Sequence, residues 1–188
     1  EGTDWVAAQD APRLNTPDWL WESWTDTYGA ATTRAIATAH LAEAPLDLTP
    51  KSDAPHWAER LGGQIVAAGS VRLSSPGAVS GLAGFDDGAW WVQDAAARLV
   101  GGLVGASVGD VRGKHVIDLC AAPGGKTALL CAAGARVTAV DRSATRLKRL
   151  HANLARLGLE AQVVVADAGD WRPDDAADAV LLDAPCSA

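Results

Sequence analysis

From Gly113 onward, short apolar runs alternate with longer stretches in which leucine recurs every third or fourth position. "KHVIDLCA", "RVTAVD", "AQVVVADA" and "DAVLLDAP" predict four strands, and "KTALLCAAG" and "SATRLKRLHANLARLGL" predict two helices among them. In the longer helix Leu147, Leu150, Leu154 and Leu157 share one face. Gly134 closes the shorter helix, and Asp94 suits the cap of an earlier one from Ala95. Strands apolar nearly throughout, between amphipathic helices, indicate a parallel sheet covered on both faces.

The front half follows another rhythm. "NTPDWLWESWTDTYG" predicts a helix with Thr16 as N-cap, Pro17 in the first turn and Gly29 at its end. "ATTRAIATAHLAEA" predicts a second helix, stopped by Pro45. "LDLTPKSD" and "GSVRLSS" read as short strands around a short helix, "PHWAERLGG", that ends at Gly62. Residues 1–15 read as a tail or linker. The fold class expected is α/β: a Rossmann-like core, truncated after its fourth strand, preceded by a small α+β module. The expected divisions are 1–33 (linker and the end of a helical region), 34–85 (the module) and 86–188 (the core). A chain that starts at Glu1, contains no Met and stops just after an apolar strand reads as an internal piece of a longer protein.

Composition narrows the chemistry. With 48% hydrophobic and 21% charged residues, the chain is ordinary globular material, and no apolar run approaches the roughly 18 residues of a membrane span. Cys120, Cys131 and Cys186 form no C-x-x-C pair, so neither a disulfide framework nor a metal site is expected, and a reducing cytoplasm is. A net charge of -7 argues against gripping nucleic acid by a broad basic surface, although a local basic site remains compatible. The eight Trp read as packing residues rather than base-stacking platforms.

"VIDLCAAPGGKTALL" carries the most information. Its Gly-Gly-Lys-Thr looks like a phosphate-binding loop, and "AVLLD" resembles the apolar strand that ends in a magnesium-binding Asp. Yet the first glycine of G-x-x-x-x-G-K-[ST] falls on Cys120, and Pro123 has no N–H to offer a phosphate. The G-x-G-x-x-G fingerprint fails too, since only Gly124 and Gly125 are present. What remains is a short glycine turn at the carboxyl end of a strand, where open α/β sheets bind ligands. The next strand ends in Asp141, 17 residues after Gly124, which suits a ribose diol. Asp167 closes the third strand, placed to accept from an adenine amino group, and Asp183 closes the fourth. An adenosine ligand without a triphosphate is expected, and S-adenosylmethionine fits.

"VIDLCAAPGGKT", "AVDRSATRLKRLHANLARLGL", "VVADAGDW" and "VLLDAPCSA" resemble, in order and spacing, the RsmB/Nop/Sun family of RNA cytosine-5 methyltransferases, its bacterial RsmB branch most closely. The resemblance is strong over about residues 80–188 and weaker before them. It implies that Cys120, Ala121, Ala122, Pro123, Gly124, Gly125 and Lys126 wrap the methionine end of S-adenosylmethionine. Asp141 would hold the ribose, Asp167 lie by the adenine, and Asp183 line the junction with the target base. Arg146 is placed to order the cofactor loop. The resemblance further implies that residues 1–33 trail from a helical RNA-binding region and that ribosomal RNA is the partner; a monomer is expected. "WWVQD" matches a family segment near the base pocket, although Asp94 as a helix cap explains it equally well.

Cytosine C5 is a poor nucleophile until a thiolate adds to C6. "DAPC" brings together Asp183 and Cys186, with Pro185 stiffening the loop; enzymes acting on exocyclic amines carry an aromatic residue where Cys186 stands. In the family, the attacking cysteine is a second one in a Thr-Cys motif on the next strand, expected beyond Ala188, and the Pro-Cys cysteine assists product release. Residues 1–188 alone are therefore expected not to turn over. Cys131 reads as core. Arg142, Arg146, Arg149 and Arg156 fall on one stripe of the long helix, a candidate RNA contact or a solvated face. Two other classes stand beside this one: a P-loop nucleotide-binding protein, and a non-catalytic RNA-binding protein that keeps the methyltransferase fold.

Overall fold

The computed structural model describes residues 8–75 and 77–184. The chain divides into two compact units, Glu1–Ala44 and Pro45–Ala188. The division expected at residue 33 falls inside a helix, and the α+β sheet runs past residue 85 to Val92.

The first unit contains α1 (Ala11–Leu14), α2 (Asp18–Tyr28) and α3 (Ala30–Ala39), so a helical turn occupies part of the expected tail. Thr16 does not cap α2: the N-cap is Pro17, and the Thr16 hydroxyl donates to the Pro12 carbonyl at 2.8 Å. Arg34 forms a two-pronged ion pair with Asp10, at 2.9 and 2.6 Å. Its guanidinium and that of Arg13 both lie over the Trp21 ring.

The second unit opens with β1 (Leu46–Pro50), α4 (Ala54–Leu61), β2 (Gln64–Ile65), β3 (Val71–Leu73) and β4 (Trp90–Val92). These strands form an antiparallel sheet in the order β2-β3-β1-β4. Neither β2 nor β4 was expected. Leu48, Val71, Leu73 and Trp90 pack its core with Ala58 of α4. Buried Asp47 holds Arg72 at 2.7 Å and accepts from the Ala95 N–H, fastening β1 to the start of the next helix.

That helix, α5 (Ala95–Val108), is capped as expected by Asp94. Then follow β5 (His115–Leu119), α6 (Gly125–Ala132), β6 (Arg136–Asp141), α7 (Ala144–Leu157), β7 (Gln162–Val165) and β8 (Ala179–Leu182). Their sheet is wholly parallel, in the order β7-β6-β5-β8. The four leucines of α7 are buried as a single stripe.

Among the described residues, helices cover only one face of this sheet. Strand residues alternate between faces, and Val116, Val137 and Leu181 pack with Val104 of α5 and Leu130 of α6. Ala139, on the same side, packs with the leucines of α7. All three helices therefore stand on one face. On the opposite face Ile117 and Val140 are buried outside either cluster, whereas Val180 and Leu182 are exposed.

The two sheets are joined at the carboxyl end of α7. Arg156 donates to the carbonyls of Phe85 (2.7 Å) and Trp90 (3.1 Å) and lies over the Phe85 ring. Lys51 donates to the Leu157 carbonyl. Gly88 has φ +60, and a Cβ there would lie 2.1 Å from the Arg156 carbonyl oxygen, so the backbones meet with no room for a side chain. Gly88→Ala should lower stability by more than about 2 kcal/mol. Gly102→Ala, inside α5 with open space around it, should raise it by roughly 0.5–1 kcal/mol. Urea midpoints of the two variants check both, and equal midpoints would refute the close contact.

Candidate active site

The chain runs outward from β5 through β6 to β7 and then returns to place β8 on the other side of β5. Ligands of open α/β sheets bind at the carboxyl ends of the strands beside such a reversal. A cavity of about 630 Å³ lies there, lined by Asp118, Cys120 to Lys126, Arg146, Asp183 and Ala184, with Trp91, Gln93 and Asp94 from the antiparallel side. A recess of about 210 Å³ adjoins it through Cys120 and Arg146 and includes Asp141, Ala166 and Asp167.

The glycine turn is held by its surroundings. Cys120 adopts the left-handed region, φ 60. Ala121 and Ala122 are buried against Leu147 and Leu150 of α7, so their side chains are core and their backbone forms the cavity wall. Gly124 is left-handed at φ +104, and a Cβ would sit 2.9 Å from Leu150 Cγ; only glycine satisfies both conditions. Gly124 is also the N-cap of α6 and makes no side-chain cap, so the first N–H groups of that helix keep their donors.

Asp141 is buried, and it works as the fastener of this turn. Its carboxylate accepts from the N–H of Ala122 at 3.2 Å and of Ser143 at 2.9 Å, and stands 3.5 Å from the Arg146 guanidinium. Arg146 in turn donates to the Ala122 carbonyl, so its predicted role of ordering the loop has a geometric counterpart. Two carboxylate oxygens have about four acceptor positions, which leaves capacity for a ligand hydroxyl. Asp167 is exposed and accepts from the Gly169 N–H at 2.9 Å. Asp183, at the end of β8, pairs with Lys126 at 2.5 Å. Pro185 and Cys186 lie outside the described residues.

Asp118 was missed by the sequence reading. It lines the cavity almost wholly buried and accepts from the Thr127 hydroxyl at 2.6 Å. Burial pushes its carboxyl up to about 6, despite the opposing Thr127 hydrogen bond and Lys126 charge. The only signal was a carboxylate inside an otherwise apolar strand, nine positions before a threonine. Cys131 behaves as core: burial raises its thiol to about 11 and its Sγ meets the Glu160 carbonyl. The arginine stripe dissolves, because Arg142 precedes α7 while Arg146 and Arg156 are committed to backbone carbonyls. Burial lowers the Arg156 pKa, opposed by the charge of Asp86.

Residues 109–188 match the model of the family described as 16S rRNA methyltransferase RsmB/F. This stretch is similar to the methyltransferase domain of that family. Ribosomal RNA small subunit methyltransferase B of Enterobacter sp. (strain 638) is 45% identical over 124 residues, covering 63% of this chain and 28% of that protein. The protein of the same name from Shigella sonnei (strain Ss046) is 46% identical with the same coverage. The chain thus spans 28% of the length of these curated relatives. A methyltransferase homolog protein from Pyrococcus horikoshii has the same fold, with a TM-score of 0.66 at 23% identity over 93% of this chain and 61% of that one.

S-adenosylmethionine is the cofactor expected of an RsmB/F-type domain, and the residues fit it. Carboxylates in the recess suit the hydroxyls and amino group of an adenosine, and the uncapped helix start suits a carboxylate at the other end. Asp118 also sets a pH dependence. Its folded pKa lies above the 3.8 of the free carboxyl. The folded form therefore binds the extra proton, and stability falls as pH rises from about 4 to 6. A carboxamide in its place would still accept from Thr127 without ionising. Asp118→Asn should match the parent's melting temperature near pH 4 and exceed it by roughly 5 °C at pH 7.5; a pH-independent difference would count against the burial.

Proposed function

We propose that this chain is part of an enzyme that transfers the methyl group of S-adenosylmethionine to C5 of cytosine in RNA, with small-subunit ribosomal RNA as the substrate. The observation that carries this reading is the Lys126–Asp183 ion pair, set in a cavity at the β5–β8 reversal, inside the stretch that matches the RsmB/F model. The Cys120–Lys126 turn would hold the methionine end, Asp141 the ribose and Asp167 the adenine. Bound there, the cofactor supplies an electrophilic methyl group.

On the substrate side, Asp183 is half exposed and meets Lys126 through Oδ2. A carboxylate accepts well from the exocyclic amine of cytosine. Lys126 holds that carboxylate in place and brings a positive charge to the pocket. Cys186, three residues after Asp183, belongs to the same loop in sequence. Its proposed role is to line the base pocket beside the cysteine that adds to C6.

Calorimetric titration with S-adenosylhomocysteine tests the cofactor half of this reading. The chain should bind it, and Asp141→Ala should weaken binding at least about tenfold by losing both a ligand acceptor and the fastener of the turn. Magnesium-dependent binding of ATP in place of the homocysteine nucleoside would establish a nucleotide-triphosphate site and overturn the proposal.

A further inference from the structure

Gln93 follows β4, on the antiparallel side of the cavity, and is 6% exposed. The Trp91 indole N–H, which can only donate, meets Gln93 Oε1 at 3.1 Å. The Thr49 hydroxyl reaches the same oxygen at 3.0 Å. These two donors fix which end of the carboxamide is oxygen and which is nitrogen. Nε2 carries two hydrogens, is buried, and has no acceptor among the described residues. An unpaired buried donor is costly, so a position that orients one so firmly calls for an acceptor.

The direction of Nε2 identifies where that acceptor belongs. It is the nearest atom to the site a Gly125 Cβ would occupy, at 3.5 Å. Gly125 is the first residue of α6, whose opening N–H groups have no side-chain cap. The uncapped start of α6, with the positive end of its dipole, thus lies beside the Gln93 amide, an arrangement that favours an anionic oxygen over a neutral one. Resting on the cofactor reading above, we propose that Gln93 binds the carboxylate at the amino-acid end of S-adenosylmethionine, together with the first turn of α6. The antiparallel module then contributes a cofactor-binding residue, in addition to forming a wall.

Two ligands separate this role from its rivals. S-adenosylhomocysteine has the carboxylate; 5′-methylthioadenosine is a nucleoside thioether without the amino-acid end. Gln93→Glu keeps an oxygen for Trp91 and Thr49 while replacing the donor with a second acceptor, and Gln93→Met removes the donor without adding charge. Both variants should bind S-adenosylhomocysteine about tenfold or more weakly in calorimetry and 5′-methylthioadenosine within about twofold of the parent. Parent-like affinity for S-adenosylhomocysteine in both variants overturns the assignment and leaves the cofactor reading intact, as it would if the acceptor were a base carbonyl. Equal loss of both ligands in both variants also overturns it, by showing that Gln93 serves the fold. If the parent chain binds neither nucleoside, the cofactor reading fails and this inference with it.

Discussion

The cavity depends on the Arg156 guanidinium. It leaves the last turn of α7 to satisfy two carbonyls of the antiparallel module, those of Phe85 and Trp90. That bridge adds a polar tie between β4 and α7 to the packing of Trp91 against the α7 leucines, and together they fix the wall of Trp91, Gln93 and Asp94 against the glycine turn. Its burial is expensive: Nε has no partner among the described residues, and desolvation lowers the side chain's pKa. Arginine suits the position because its fork reaches two carbonyls at once and its flat face rests on the Phe85 ring. Lysine would supply one mobile charge and no stacking surface.

The carboxylates around the cavity divide by environment. Asp141 is buried yet surrounded by backbone donors and Arg146, so its charge is put to use holding the turn. Asp118 is buried with one hydroxyl and a neighbouring ammonium, and its neutral form is favoured. Asp183 remains half exposed and paired. These three acidic residues around the cavity and its recess thus differ in burial and in partners, and the difference follows from what each strand end places beside them.

Much of the parallel half was legible in the sequence, because each strand is a run of apolar residues and each helix a leucine stripe. The predicted glycine turn and the residues Asp141, Asp167 and Asp183 do meet at one sheet edge, since strands of one direction bring their carboxyl ends together. The antiparallel module was harder. β2 and β4 are two and three residues long, too short for any period to register. β4 is a strand because Trp90 and Trp91 are buried by partners far along the chain. Gln93 and Asp118 lie inside "WWVQD" and "VIDLCAAPGGKT", yet neither stood out there, because what defines them is Thr49, Trp91 and Thr127 folding against them. Coverage of both sheet faces was inferred from apolar content alone, which counts hydrophobic residues without saying which helix reaches them.

The return of the chain to β8 has a kinetic side. β5 pairs with β6 across one short helix, but β8 reaches β5 from 63 residues away, where Asp178 accepts from the His115 N–H. Closing so long a loop is entropically slow, and contacts of this separation form after local ones. The Lys126–Asp183 pair rests on that long closure, whereas the glycine turn is held by β6 and α7, which lie next to it in sequence.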